Sequence, residues 1–141
     1  MTDNAAIVRR LFQAVEERDI APMLEIYDPG VVIHEASSLP YGGRYVGHEG
    51  MARHGLAYLQ AWDALQTETD RDLEAEFFEH GDRVLVRWRQ KGHARDGRAL
   101  AMPMVSEYRL SGGKVVESRM HPFDSAALAD FLWRQKETRH D

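Results

Sequence analysis

A chain of 141 residues, 43% hydrophobic and 29% charged, is sized for one compact domain with a real core and one pocket, and leaves no room for a second domain. It contains no cysteine, which excludes disulfides, thiolate nucleophiles and thiolate metal sites. The formal net charge of -5 opposes a phosphate backbone, so no nucleic-acid partner is expected. No apolar run approaches the roughly 20 residues of a bilayer crossing, and Met1 to Arg10 lacks a basic start leading into an apolar stretch. A cytoplasmic protein without membrane attachment is therefore expected.

Ile7, Val8, Leu11, Phe12 and Val15 recur on one helical face behind Thr2 and Asp3, either of which can cap, and this predicts a helix over 3–18. Asp19 restarts the chain as a second cap, Pro22 suits a first turn, and Met23, Leu24 and Tyr27 face inward until Asp28-Pro29-Gly30 stops the helix. Val31 to Ala36 reads as a strand, 37–43 as a turn-rich loop and 44–46 as a short return strand. A third helix over 49–62 carries Met51, Gly55, Tyr58, Leu59 and Trp62 on one stripe. From Leu73 the period becomes two. Strands are predicted over 73–80, 83–94, 100–110 and 114–123, with turns at Gly81-Asp82, Asp96-Gly97 and Gly112-Gly113, forming an antiparallel meander. Asp124 or Ser125 caps a last short helix with Leu128, Phe131 and Leu132, and 134–141 is expected to be a frayed, charged tail. Helices segregated before an antiparallel sheet make an α+β domain.

The order of these elements and two runs, Val31-Val32-Ile33-His34-Glu35 and Leu39-Pro40-Tyr41-Gly42-Gly43-Arg44-Tyr45-Val46-Gly47-His48-Glu49-Gly50, carry a family likeness. The chain resembles the nuclear transport factor 2-like superfamily in its SnoaL-like polyketide cyclase and ketosteroid isomerase-related branch. The resemblance implies a single cone-shaped α+β domain over 1–141, with N-terminal helices on a curved antiparallel or mixed sheet. It also implies a pocket for a small, largely apolar carbonyl compound and cofactor-independent proton transfer of the cyclase or isomerase type. Alignment with the ketosteroid isomerase relatives puts Glu35 at the position of the carboxylate base. Those relatives stabilise the enolate with a Tyr and a protonated Asp; the matching positions here are Leu11 and Ser106. A steroid dienolate is therefore not expected.

The residues themselves leave two readings of Glu35 open. Alternation puts Val31, Ile33 and Glu35 on one strand face and Val32 and His34 on the other, so an inward Glu35 would be desolvated, raised in pKa and usable as a general acid or base. Alternatively, Glu35 ends the strand and pairs with Arg44. His34 is the rival base, since a histidine titrates in the useful range unaided, and a one-residue slip would exchange the two roles. Tyr27, Tyr41, Tyr45 and Tyr108 are candidate phenol donors for an enolate, with Tyr41 and Tyr45 favoured. Trp88, Met102, Met104, Ser106 and Tyr108 fall on the face assigned inward and are candidate ligand contacts, with His121 at the rim.

No metal and no cofactor are expected. His48 and His54 are six residues apart, about 600° of helix, and so lie on different sides. Ser37, Ser38 and Ser106 lack a Gly-x-Ser-x-Gly elbow, and Gly42-Gly43 is a turn rather than a phosphate loop. Leu85, Pro103 and Val105, interspersed with Arg87, Glu107 and Arg109 on the opposite sheet face, point to a homodimer. The alternatives to an enzyme are a non-catalytic ligand-binding or dimerisation module; epoxide hydrolase-type water addition is a third, for which no inward Asp/Arg/Asp set is visible.

Overall fold

A computed structural model of the chain describes residues 3–138. Helix α1 (Asn4–Glu17) starts where the Asp3 carboxyl accepts the Ala6 N–H, and it buries Val8, Leu11, Phe12 and Ala14. It ends at Arg18, whose backbone is left-handed (φ 58°) and whose N–H closes on the carbonyls of Ala14 and Val15. Helix α2 (Ala21–Ile26) carries Pro22 in its first turn. Strands β1 (Tyr27–Glu35) and β2 (Gly43–Val46) follow, then α3 (Gly47–Trp62). Strands β3 (Glu76–His80), β4 (Arg83–His93), β5 (Ala99–Ser111) and β6 (Lys114–Pro122) precede α4 (Ser125–Thr138).

The six strands form one sheet in the order β2-β1-β6-β5-β4-β3. β3 to β6 are the expected meander, but β1 inserts beside β6 in parallel while pairing β2 antiparallel, which makes the sheet mixed. Together the helices and the sheet form an α+β cone.

Three local expectations are corrected. Helix α2 ends at Ile26, just ahead of Asp28-Pro29-Gly30, but the strand does not wait for Val31: the triplet lies inside β1, where the register against β6 shifts between Tyr27 and Val32, and an irregular ladder tolerates a residue without an N–H. β3 begins at Glu76, because Glu74 takes a left-handed backbone (φ 50°) that breaks extension after Leu73. Arg134 to Thr138 is helical rather than a tail: Gln135 is buried, and Arg134 bonds Asp130 one turn back at 3.0 Å. Residues 139–141 lie outside the described ones. Two 3₁₀ turns, Asp63–Leu65 and Thr69–Arg71, also went unread.

The core has two lobes. Val8, Leu11, Phe12, Val31, Ile33, Val84 and Val86 fill one; Trp62, Met102, Met104, Leu128, Phe131 and Leu132 fill the other, with Trp88 and Met120 packed against both. Gly92 lets α3 close on the sheet, since a Cβ there would stand 2.7 Å from the Trp62 ring. Among the described residues no helix is long and apolar enough to cross a membrane.

Candidate functional site

Period-two alternation along β1 sends Val31 and Ile33, both 0% exposed, and then Glu35 to the face covered by the helices. There a cavity of about 260 Å³ lies between α1, the α1–α2 link, α3 and the sheet. Its walls are mostly apolar, including Leu11, Phe12, Val15, Met51, Leu73, Trp88 and Met120. Phe12 presents itself edge-on to Trp88 and Tyr108 at centroid distances of 5.8 and 6.0 Å.

Glu35 is the buried acid of this cavity, its side chain only 5% exposed. His54 Nε2 lies 2.7 Å from Glu35 Oε2, and because a carboxylate can only accept, the ring N–H donates. Helical spacing explains why α3 supplies this partner: Met51, His54 and Tyr58 stand three and four residues apart and line the cavity together. The His54 ring is itself seated against Tyr45, centroids 5.1 Å apart, and Tyr41, 6.4 Å apart.

Tyrosines surround the acid. Burial raises the phenol pKa of Tyr27, Tyr41 and Tyr108, and the negative charge of Glu35 adds to the effect at each. Tyr58 is pushed up to about 12, chiefly by burial, and its hydroxyl donates to Gln90 Oε1 at 2.8 Å. All four phenols therefore stay protonated at neutral pH. Tyr27, Tyr58 and Tyr108 line the cavity.

The ten sequence candidates separate into two groups. Glu35, Trp88 and Tyr108 line the cavity, and Ser106 stands just behind Trp88, accepting its indole N–H at 2.8 Å. The others lie elsewhere. His34 is on the opposite sheet face, bonded to Glu117 at 2.9 Å, because it alternates with Glu35. Tyr41 is in the second core lobe, where its hydroxyl accepts the Trp62 N–H at 3.0 Å; Tyr45 donates to the Tyr41 carbonyl and seats His54 from outside the cavity wall. Met102 and Met104 also pack in the second lobe, since inward-facing β5 residues at that end meet α4 and Trp62 rather than the cavity. His121 is on the outer face, bonded to Glu107 at 2.7 Å.

Sequence reasoning missed His54 and Arg18 as cavity residues, while Tyr27, read as inward-facing, does line the cavity. Glu35 is held by His54 rather than Arg44, and His54 and Tyr58 one turn apart on the apolar stripe of α3 were the available signal. Among the described residues no three His, Asp or Glu side chains converge as a metal site.

Residues 8–118 match the SnoaL-like domain. The chain belongs to the SnoaL-like domain family. No curated protein matches this SnoaL-like chain. Solved structures share its fold. An NTF2-like protein of unknown function from Burkholderia pseudomallei is 25% identical with a TM-score of 0.79, the match covering 94% of this chain and 98% of that one. A candidate SnoaL-like polyketide cyclase from a Jannaschia species is 22% identical with a TM-score of 0.73, covering 92% and 90%. TerC, co-crystallised with polyporic acid, is 21% identical with a TM-score of 0.77, covering 92% of the SnoaL-like chain and 98% of its own.

Proposed function

We propose that this SnoaL-like chain binds a small, largely apolar carbonyl compound in the cavity and moves a proton α to the carbonyl without a cofactor, in a cyclisation or isomerisation. One observation carries the reading: an almost fully desolvated carboxyl, Glu35, faces a mostly apolar cavity and is held by a single imidazole. With water kept out, a carbon acid in the cavity can meet the carboxylate directly. Glu35 takes the α-proton, the electron pair moves onto the carbonyl oxygen, and the phenol of Tyr27 or Tyr108 donates to that oxygen as its charge develops. The same carboxyl returns the proton to a different carbon, or the enolate carbon closes on a second carbonyl, whose π bond opens to an alkoxide that takes the proton back from Glu35. His54 fixes the carboxyl through the step.

The size of the cavity suits a small ligand, standing just under the range of about 300–1,000 Å³ usual for small-molecule sites. The cyclase name of the Jannaschia relative and the co-crystallised compound of TerC support the reading. Epoxide opening is less well supported, since Asp19 is the one aspartate among the lining residues and an Asp/Arg/Asp set does not assemble. We further propose a homodimer through the outer sheet face, where Leu85 and Val105 are 42% and 38% exposed.

The test is α-proton exchange in deuterated buffer, followed by NMR, for a panel of small apolar ketones and diketones. The protein should accelerate exchange for at least one, and Glu35→Gln should lower that rate by about 100-fold or more. Binding without exchange in the unmodified protein would favour a ligand-binding module instead. Exchange undiminished in Glu35→Gln would remove Glu35 as the base.

A further inference from the structure

The cavity is lined by two further charged residues that the proton-transfer reading does not use, Arg18 and its exposed neighbour Asp19, whose carboxyl accepts the Ala21 N–H. Arg18 is the one arginine or lysine among the lining residues, and it sits where α1 passes to α2. Its backbone is left-handed, a conformation that glycine adopts without strain and a long side chain does not favour. A glycine would terminate the helix more easily, so the side chain has its own business there.

The guanidinium is held firmly but not saturated. Nη2 donates to Gln66 Oε1, Nη1 reaches the Val15 carbonyl at a long 3.4 Å, and Nε has no hydrogen-bond partner although it is screened from solvent. Asp63 pairs with it at 3.6 Å from Nε and is itself 60% exposed. The head also interacts with the Tyr58 side chain, by charge and by hydrogen bonding, and lowers the Tyr58 pKa against the larger effect of burial. Nε is closed off, but each terminal nitrogen has two N–H groups and one hydrogen bond to the Val15 carbonyl or to Gln66, so a neutral ligand would cover this cation, paired only with the exposed Asp63, with donors unfilled. An anionic ligand group would fill them. Placed instead beside Glu35, the same anion would meet like charge.

We propose that the ligand of this cavity is an amphipathic anion, an apolar body bearing a carboxylate or comparably acidic oxygen, whose charged group is received by Arg18 while its reactive carbonyl is turned toward Glu35. This rests on the ligand-binding reading above and adds polarity and orientation to it. Arg18 is then a specificity-determining residue: it selects the ionised member of a matched pair and sets which end enters first. The competing account is that Arg18 only braces the end of α1 to Gln66 and Asp63.

The experiment uses isosteric acid and amide pairs, 2-naphthoate with 2-naphthamide and trans-cinnamate with trans-cinnamamide, titrated calorimetrically at neutral pH into the unmodified chain, Arg18→Gln and Arg18→Lys. The acid should bind the unmodified chain at least about tenfold more tightly than the amide, with the preference shrinking as salt rises. Arg18→Gln should abolish the preference, and Arg18→Lys should retain part of it. Equal affinity for acid and amide in the unmodified chain overturns the proposal while leaving the apolar-ligand reading intact. A preference that survives in a folded Arg18→Gln overturns it as well. If neither member of either pair binds, the ligand-binding reading fails and takes this one with it. The acid-to-amide comparison in the unmodified chain decides the matter even if Arg18→Gln does not fold.

Discussion

A carboxyl almost removed from water holds its place only while something answers its charge, and for Glu35 that partner is His54, 2.7 Å away. Replacing His54 by Leu should therefore destabilise the fold by about 1–3 kcal/mol, the magnitude for orphaning a buried hydrogen-bonding group. Glu35→Gln keeps an oxygen that accepts from the His54 ring and should fall below that range. Adding Glu35→Gln to His54→Leu should recover much of the loss, giving a coupling measurable by urea titration of the four proteins; additive losses would show that the pair does not act as a unit. The direction of Glu35 was legible in the sequence because Val31 and Ile33 share its face in a strict two-residue period. Its partner was not. His54 lies 19 residues away on another element, and which imidazole meets the acid depends on how α3 crosses β1, which no local pattern encodes.

Elements are held to each other by similar pairs at the far side of the sheet. Asp70, in the 3₁₀ turn before β3, bonds the β4 residue His93 at 2.7 Å and accepts the Thr67 backbone N–H at 3.0 Å. Burial works to raise its pKa, but the hydrogen bonds from Thr67 and His93 outweigh it and leave the carboxyl below its ordinary value. A depressed folded-state pKa means that the unfolded chain binds the proton more readily. This contribution is then complete above the unfolded value near about 3.9 and disappears as pH falls through the folded one. Asp70→Asn should thus cost about 1–3 kcal/mol at neutral pH and progressively less toward pH 3, seen as urea midpoints that converge on acidification; a constant gap would locate the effect in packing. The turn itself was hidden from sequence reasoning, since Thr67 and Asp70 resemble any polar connection until β4 brings His93 over them. By contrast, the meander was plain, because Gly-containing turns punctuate residues of period two. The Asp28-Pro29-Gly30 triplet hid the start of β1 for a physical reason: the residues that follow a helix end are also those that a bulged strand accommodates.

At the scale of the whole molecule, four buried phenols link folding to alkaline pH. Tyr27, Tyr41, Tyr58 and Tyr108 have raised pKa values in the fold, while unfolded tyrosines ionise near about 10. Between those values the folded chain holds more protons, so stability must fall as pH rises beyond about 10. Phenolate absorbance for these residues should appear together with loss of circular dichroism; phenolates forming near pH 10 in an intact fold would contradict their burial. On the outer sheet face, sedimentation at micromolar concentration should show two chains per particle, and Leu85→Glu with Val105→Lys should give one; a monomer without the substitutions would refute the proposed pairing. The parallel alliance of β1 with β6 also sets an order in time. During synthesis the strand that carries Glu35 emerges early, yet its neighbour spans Lys114–Pro122, so it must wait with one edge bare until most of the chain has been made. Val31 and Ile33 are exposed to wrong partners through that interval, and a ribosome that stalls before β6 would release a sticky fragment rather than a smaller working protein.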